Sequence, residues 1–266
     1  EDMYVAAAFV HAARGRGTTA TWADMHFRHT LFRLRVSDCS ATFVDTSAAA
    51  SQACLQLHDS LEGNRAEKGE AVLAVDLEGA LGTVWNHIAL LQAHCDGGDT
   101  VAAQTVVFDP HVCPQILHDT HEHSLRSMLG SVEVIKVLHS CHGDTAALFC
   151  EYGITCERVF DTAIADSLLN HKHPGSSRGL GVVIAAWLGE AVAATMELKG
   201  KLIFTPGMFE KRPLPEHLYV YSYEDVLHCG RLYEVMRKAL VARGLLELAF
   251  TLSQGRCPPL SLPPGH

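Results

Sequence analysis

Five side chains, spread over three stretches of this sequence, have the types and spacings to do chemistry together. In the run Ala-Val-Leu-Ala-Val-Asp-Leu-Glu-Gly, Asp76 and Glu78 stand two apart. On a strand, alternate side chains share a face, so Asp76 and Glu78 point one way and Val75 and Leu77 the other. Two carboxylates projecting side by side from a core strand repel each other and lose hydration, a costly arrangement unless a cation sits between them. A hard, oxygen-seeking ion such as Mg²⁺ or Mn²⁺ suits that donor set. Taken alone, the pair also reads as the solvated end of a strand.

The second stretch is Lys-Val-Leu-His-Ser-Cys-His-Gly-Asp, residues 136–144. A buried strand over Val134 to Leu138 is expected to end at His139, with Asp144 at the start of the next helix. Exposed N–H groups and the positive dipole end stabilise a carboxylate there, so Asp144 by itself is equally an N-cap. The third stretch places Tyr221 and Asp225 four apart in a helical pattern running Leu218, Val226, Cys229, Leu232, Met236. Both then project from one face, one turn apart. Amphipathic packing accounts for an isolated Tyr221 just as well.

The elements that must bring these residues together follow from periodicity. Thr46 or Ser47 can cap a helix with the apolar face Ala50, Cys54, Leu57, Leu61, expected to end at Gly63-Asn64. Three strands follow, Ala71 to Leu77, Val84 to Gln92 and Thr105 to Phe108, the last two joined by the turn Asp96-Gly97-Gly98-Asp99. Strands linked in this order form an antiparallel half-sheet. Pro114 fits the first turn of a helix, and short helices are expected over 114–130. After Val134–Leu138 come a helix to Tyr152, a strand near Arg158 to Phe160 and further helical sequence. Three strands and then strands alternating with helices make a mixed α/β sheet. Gly181 to Leu198 is interrupted by Glu190 and Glu197 and reads as a core helix, not a membrane span. An alternating run, His26 to Val36, suggests an extra strand.

Composition narrows the options. With 266 residues, 48% of them hydrophobic and 19% charged, the chain is long enough for one large α/β domain or at most two small ones, and too apolar for a disordered one. A net charge of -9 repels a polyanion in bulk, so any nucleic acid must be held locally, by metals or a small basic patch, or captured by a partner. The basic residues available are Arg178, Lys199, Lys201, Lys211 and Arg212. Nine cysteines without a CxxC pair read as reduced thiols in an intracellular setting. Seventeen histidines include the groups His118, His121, His123 and His139, Cys141, His142. Neither group has the paired, repeated spacing of structural zinc, and a solvated helix face and satisfied core groups account for them. Tyr4 to Trp22, with Arg14 and Arg16, reads as a flexible N-terminal arm or the remainder of an organellar leader.

In order and spacing, the three stretches resemble the DEDD 3′–5′ exonucleases, in the subgroup with tyrosine in the third motif. That group includes ribonuclease D, the exosome-associated nuclease and the Werner syndrome exonuclease domain. The first motif, D-x-E on the first core strand, matches Asp76 and Glu78. The second, a K-V-x-H strand end followed by Asp and then F-D-T, matches Lys136 to His139, Asp144 and Phe160-Asp161-Thr162. The third, Y-x-x-x-D after R-P-L, matches Tyr221 and Asp225 after Arg212-Pro213-Leu214. The connecting phrases look most like the Egalitarian-like, exonuclease 3′–5′ domain-like branch, and the resemblance covers roughly residues 42–250.

The resemblance implies a ribonuclease H-like α/β fold, a mixed five-stranded sheet flanked by helices. It marks off an exonuclease domain (42–250) from an N-terminal extension (1–41) and from a tail (251–266) whose prolines, Pro258, Pro259, Pro263 and Pro264, read as unstructured. It implies that Asp76, Glu78, Asp144 and Asp225 bind two divalent ions, Mg²⁺ or Mn²⁺, that Tyr221 orients the attacking water, and that Asp161 is structural. The substrate implied is a single-stranded 3′ end, RNA ahead of DNA, with no membrane involved. Protein partners in a ribonucleoprotein assembly and an intracellular location (mitochondrial, cytoplasmic or nuclear) belong to the same expectation. The branch also includes members regarded as catalytically silent RNA-associated adaptors, the second function the resemblance implies.

Overall fold

The structure is a computed structural model that describes residues 41–81, 87–170, 178–189 and 205–258. The run His26 to Val36, the expected strand residues Val84 to Asn86 and the second half of Gly181 to Leu198 lie outside them.

The first described elements are strand β1 (Thr42–Val44) and helix α1 (Ser47–Lys68). Thr46 caps α1, its side-chain oxygen accepting from the Ala49 N–H at 3.3 Å. The expected stop at Gly63-Asn64 is overruled, and the helix runs on to Gly69, whose φ of 76° makes it the left-handed cap. A mid-helix glycine costs only about 1 kcal/mol, and packing offsets that here. A Cβ on Gly63 would press on Val101 at 3.2 Å, while the buried Asn64 amide donates to Cys95 Sγ at 3.4 Å.

Strands β2 (Ala71–Ala80), β3 (His87–Cys95) and β4 (Gln104–Phe108) form the antiparallel half-sheet that their sequence predicts. Short helices α2 (Gln115–His118) and α3 (Leu125–Gly130) lead to β5 (Val134–Leu138), α4 (His142–Tyr152), β6 (Val159–Asp161) and α5 (Thr162–Leu169). The sheet order is β1-β4-β3-β2-β5-β6, with β2, β5 and β6 parallel and β1 parallel to β4. It is therefore a mixed sheet of six described strands rather than the expected five. The extra strand is the three-residue edge element β1, too short to carry a visible alternation.

Two apolar layers cover the sheet. On one face α1, α2, α3 and α4 pack against Leu73, Val75, Leu77, Leu91 and Ala93. On the other, α5, α6 (Leu180–Leu188), α7 (Glu216–Leu227), α8 (Cys229–Ala242) and α9 (Leu246–Gln254) pack against Val72, Ala74, Ile135 and Val137. The helix expected over Gly181 to Leu198 reaches a left-handed cap at Gly189, and within it Val183 and Ile184 are buried. The pattern from Leu218 to Met236 is two helices joined at His228 rather than one. Order also persists past residue 250: α9 continues to Gln254, with Ser253 and Cys257 buried. No described helix is long and apolar enough to cross a membrane.

Candidate active site

Strand β2 presents its side chains as the alternation requires. Val75 and Leu77 are buried on the α1 face, and Asp76 and Glu78, both partly exposed, lie on the face covered by α7. A β-bulge between Glu78 and Gly79 shifts the register with β3. Only glycine fits there. Gly79 has φ 152°, and a Cβ would sit 2.1 Å from the His87 carbonyl oxygen. The glycine after Glu78 therefore takes up the register shift, and the ladder resumes with Gly79 opposite Ile88 and Ala80 opposite His87.

Helix α7 crosses β2, β3 and β4 and delivers Asp225 onto the two strand acids. One carboxylate oxygen from each of Asp76, Glu78 and Asp225 lies within 4.8 Å of the others. Tyr221, one turn earlier, is half-buried beside them, its ring 6.0 Å from that of Phe209. Burial, and then the charges of Glu78 and Asp76, hold its phenol above the ordinary range for tyrosine.

The start of α7 is pinned by a contact that sequence reading missed. Arg212 lays its guanidinium on the fully buried Asp109, which follows β4, with Nη2 2.5 Å from Oδ1. Its Nη1 also donates to the Phe209 carbonyl at 2.6 Å. A bidentate Arg–Asp pair fixes orientation as well as distance. The one available signal was the Arg-Pro-Leu phrase, which names Arg212 but not its partner.

Asp144 arrives by a different route. It sits in the first turn of α4, where the N-cap is Cys141 and not Asp144. It is outside the set of three whose oxygens share the 4.8 Å separation, yet it stands near enough to Asp76 for their charges to interact. Burial first, then Asp76 and Asp161, raise its carboxyl well above the usual carboxylate range. The turn that aims α4 is held by Asp161. This fully buried carboxylate accepts from the N–H groups of Ser140 (2.9 Å), Cys141 (3.2 Å) and Ala163 (2.9 Å). Thr162 Oγ1 donates to the Leu138 carbonyl at 3.1 Å. His139 Nδ1 meets the same hydroxyl at 2.8 Å, and its Nε2 donates to the Arg178 carbonyl at 2.9 Å. The Phe-Asp-Thr phrase thus ties the ends of two parallel strands together, and His139 is a bonded structural group. His142 is likewise engaged, Nδ1 to the Arg256 carbonyl at 2.9 Å.

The basic residues near this region are largely committed elsewhere. Arg178 forms a two-pronged pair with the fully buried Asp166, Nε to Oδ2 at 2.8 Å, and Trp187 Nε1 donates to the same carboxylate at 2.9 Å. With Arg212 on Asp109, both arginines expected to greet a polyanion are instead internal braces. Lys199 and Lys201 lie outside the described residues.

An all-oxygen set of three carboxylates, with a fourth acid at its edge, has the chemistry that Mg²⁺ or Mn²⁺ binds. Such ions would also relieve the mutual repulsion that confining these charges creates. The residues present fit a divalent-metal centre.

In fold the chain is similar to solved ribonuclease D structures. The solved structure of Trypanosoma brucei RNase D in complex with RNA U12 superposes with a TM-score of 0.60 at 20% identity, covering 84% of this chain and 73% of that one. The family model described as 3′–5′ exonuclease matches residues 41–241, and the chain belongs to that family. Among curated proteins it is similar to ribonuclease D of Shewanella sp. (strain ANA-3), 29% identical over 181 residues, 65% of this chain and 40% of the relative. It is also similar to ribonuclease D of Xanthomonas oryzae pv. oryzae, 24% identical over 164 residues, 62% of this chain and 39% of the relative. The chain thus spans about two fifths of the length of these curated relatives.

Proposed function

We propose that this chain is a divalent-metal-dependent 3′–5′ exonuclease that shortens single-stranded nucleic acid, RNA in preference to DNA. The observation that carries the proposal is the approach of Asp76, Glu78 and Asp225 to within 4.8 Å in a chain of the 3′–5′ exonuclease family. Asp144 joins them as the fourth metal-binding acid, and the exonuclease unit is residues 42–250. The motif residues Tyr221 and Asp225 favour the tyrosine subgroup, and the phrases from Lys136 to Thr162 favour the Egalitarian-like branch. The RNA preference draws on the curated relatives named ribonuclease D and on the trypanosomal neighbour solved with an RNA oligomer.

When bound, two Mg²⁺ or Mn²⁺ ions supply Lewis-acid activation of water and charge stabilisation at the leaving 3′-oxygen. Asp76 and Glu78, fixed by a ten-residue strand, and Asp225, fixed by α7, form the rigid part of the cradle. Asp144 sits on a helix whose first turn Asp161 holds, so its carboxylate is set independently of the other three. Tyr221 keeps its proton because burial and two neighbouring carboxylates oppose ionisation. Its hydroxyl is therefore a donor at neutral pH, suited to orienting a water beside Glu78.

Grip on the polymer beyond its end falls to other surfaces or to a protein partner in a ribonucleoprotein assembly. The net charge of -9 and the internal pairing of Arg178 and Arg212 support that division of labour. An intracellular setting agrees with the eight described cysteines, all free thiols.

The test is incubation with end-labelled single strands and Mn²⁺. Stepwise shortening from the 3′ end, abolished by EDTA and by Asp76→Ala, is the expected result. Intact RNA and DNA after incubation with well-folded protein would point instead to the silent adaptor.

A further inference from the structure

Strand β3 carries a buried amide that the site as described does not use. Gln92 is fully buried, and neither its Nε2 nor its Oε1 has a hydrogen-bond partner among the described residues. Leaving both ends of an amide unpaired in a packed interior is costly, and each such group calls for an explanation. Its position supplies one. Gln92 is the cross-strand partner of Asp76 in the β2–β3 ladder, and on its other side it pairs with Val107 of β4. Directly opposed residues share a face, with Cβ atoms about 4.5–5.5 Å apart. Gln92 therefore lies on the face of Asp76, where α7 crosses β2, β3 and β4 with Tyr221 and Asp225.

We propose that Gln92 is a positioning residue of the acidic centre, its amide N–H holding the Asp76 carboxylate in orientation when a divalent ion is bound. The proposal rests on the metal-dependent reading above. The residue type fits the task. The amide donates without charge, so it orients a carboxylate without competing with the metal for it, as a lysine or arginine would. A glutamate would add a further negative charge, and a leucine would offer no donor. Groups that hydrogen-bond a metal-binding carboxylate commonly tune affinity 10- to 100-fold.

The role predicts opposite effects on metal binding and on metal-free stability, which a purely structural amide would not produce. Gln92→Met keeps the side-chain length and removes the unpaired polar atoms. The expected result is a Mn²⁺ dissociation constant raised about 10-fold or more, by calorimetry, while the melting temperature in EDTA equals or exceeds that of the parent. Gln92→Leu is the second variant and should behave the same way. Mn²⁺ affinity within twofold of the parent in both variants would overturn the proposal while leaving the metal centre standing. Loss of folding in both would also overturn it, because the amide would then have an essential partner inside the protein. A parent protein that binds no Mn²⁺ would remove the metal centre and the role of Gln92 together.

Discussion

Arg212 and Asp109 are joined by a fork-to-carboxylate pair that links the segment before α7 to the end of β4, with Asp109 fully buried and Nη2 2.5 Å from Oδ1. This pair sets where α7 begins, and therefore where Tyr221 and Asp225 arrive over the strand acids. Removing one partner of a buried pair strands the other's charge, at a cost of about 3–5 kcal/mol. Arg212→Ala should lower unfolding free energy in urea by that amount. Arg212→Lys should recover only part of it, since a point charge cannot reproduce the fork. Equal stability of the lysine variant and the parent would contradict the bidentate account.

Asp161 offers a second structural prediction. It accepts three backbone N–H groups around the turn into α4 and lies 3.4 Å from Arg256 Nη1. Asp161→Ala leaves those buried donors unpaired, at about 1–3 kcal/mol per orphaned group at most. The expected outcome is a clear drop in melting temperature, with Mn²⁺ affinity reduced through the displacement of Asp144. Unchanged stability would show that the turn holds itself.

Much of this arrangement was legible beforehand, and the reasons are physical. The two-residue alternation of Val75, Asp76, Leu77 and Glu78 shows which side chains share a face, because strand geometry leaves no other choice. The four-residue step from Tyr221 to Asp225 does the same for a helix. Cross-strand and buried-ion relationships are different: nothing in the one-dimensional order ties Gln92 to Asp76 or Arg212 to Asp109. The helix end expected at Gly63-Asn64 misled for a related reason. Local turn chemistry there is outweighed by packing against Val101 and Cys95, which are distant in sequence. The expected strand count fell one short because β1 has only three residues and takes its identity from pairing with β4.

Lys136 gives a prediction about pH. It is fully buried on β5, its ammonium donating to the carbonyls of Ser131 and Val134. Burial lowers its pKa from the ordinary 10.5 to about 8. Between those values the unfolded chain holds the proton and the folded one has released it. The unfolded state binds more protons there, so Lys136 makes stability rise with pH across that window. The difference in unfolding free energy between the parent and Lys136→Met isolates this contribution from other titrating groups. It should shift in favour of the parent by on the order of 1–3 kcal/mol between pH 7.5 and about 10. A difference that stays flat, or one that moves the other way, would contradict the burial effect.

Tyr221→Phe separates orientation from metal binding. The variant keeps the ring against Phe209 and removes the hydroxyl beside Glu78. Turnover on single-stranded RNA should fall about 100-fold or more, as for loss of a positioned proton donor, while Mn²⁺ affinity stays within twofold. Parallel loss of both would make Tyr221 part of the metal cradle instead.

The most direct measurement is an anomalous difference map from crystals grown with Mn²⁺. Two peaks are expected among Asp76, Glu78, Asp144 and Asp225, with at least one lost in Asp225→Asn. A map with no peak at these carboxylates, from protein saturated with Mn²⁺, would contradict the two-metal centre.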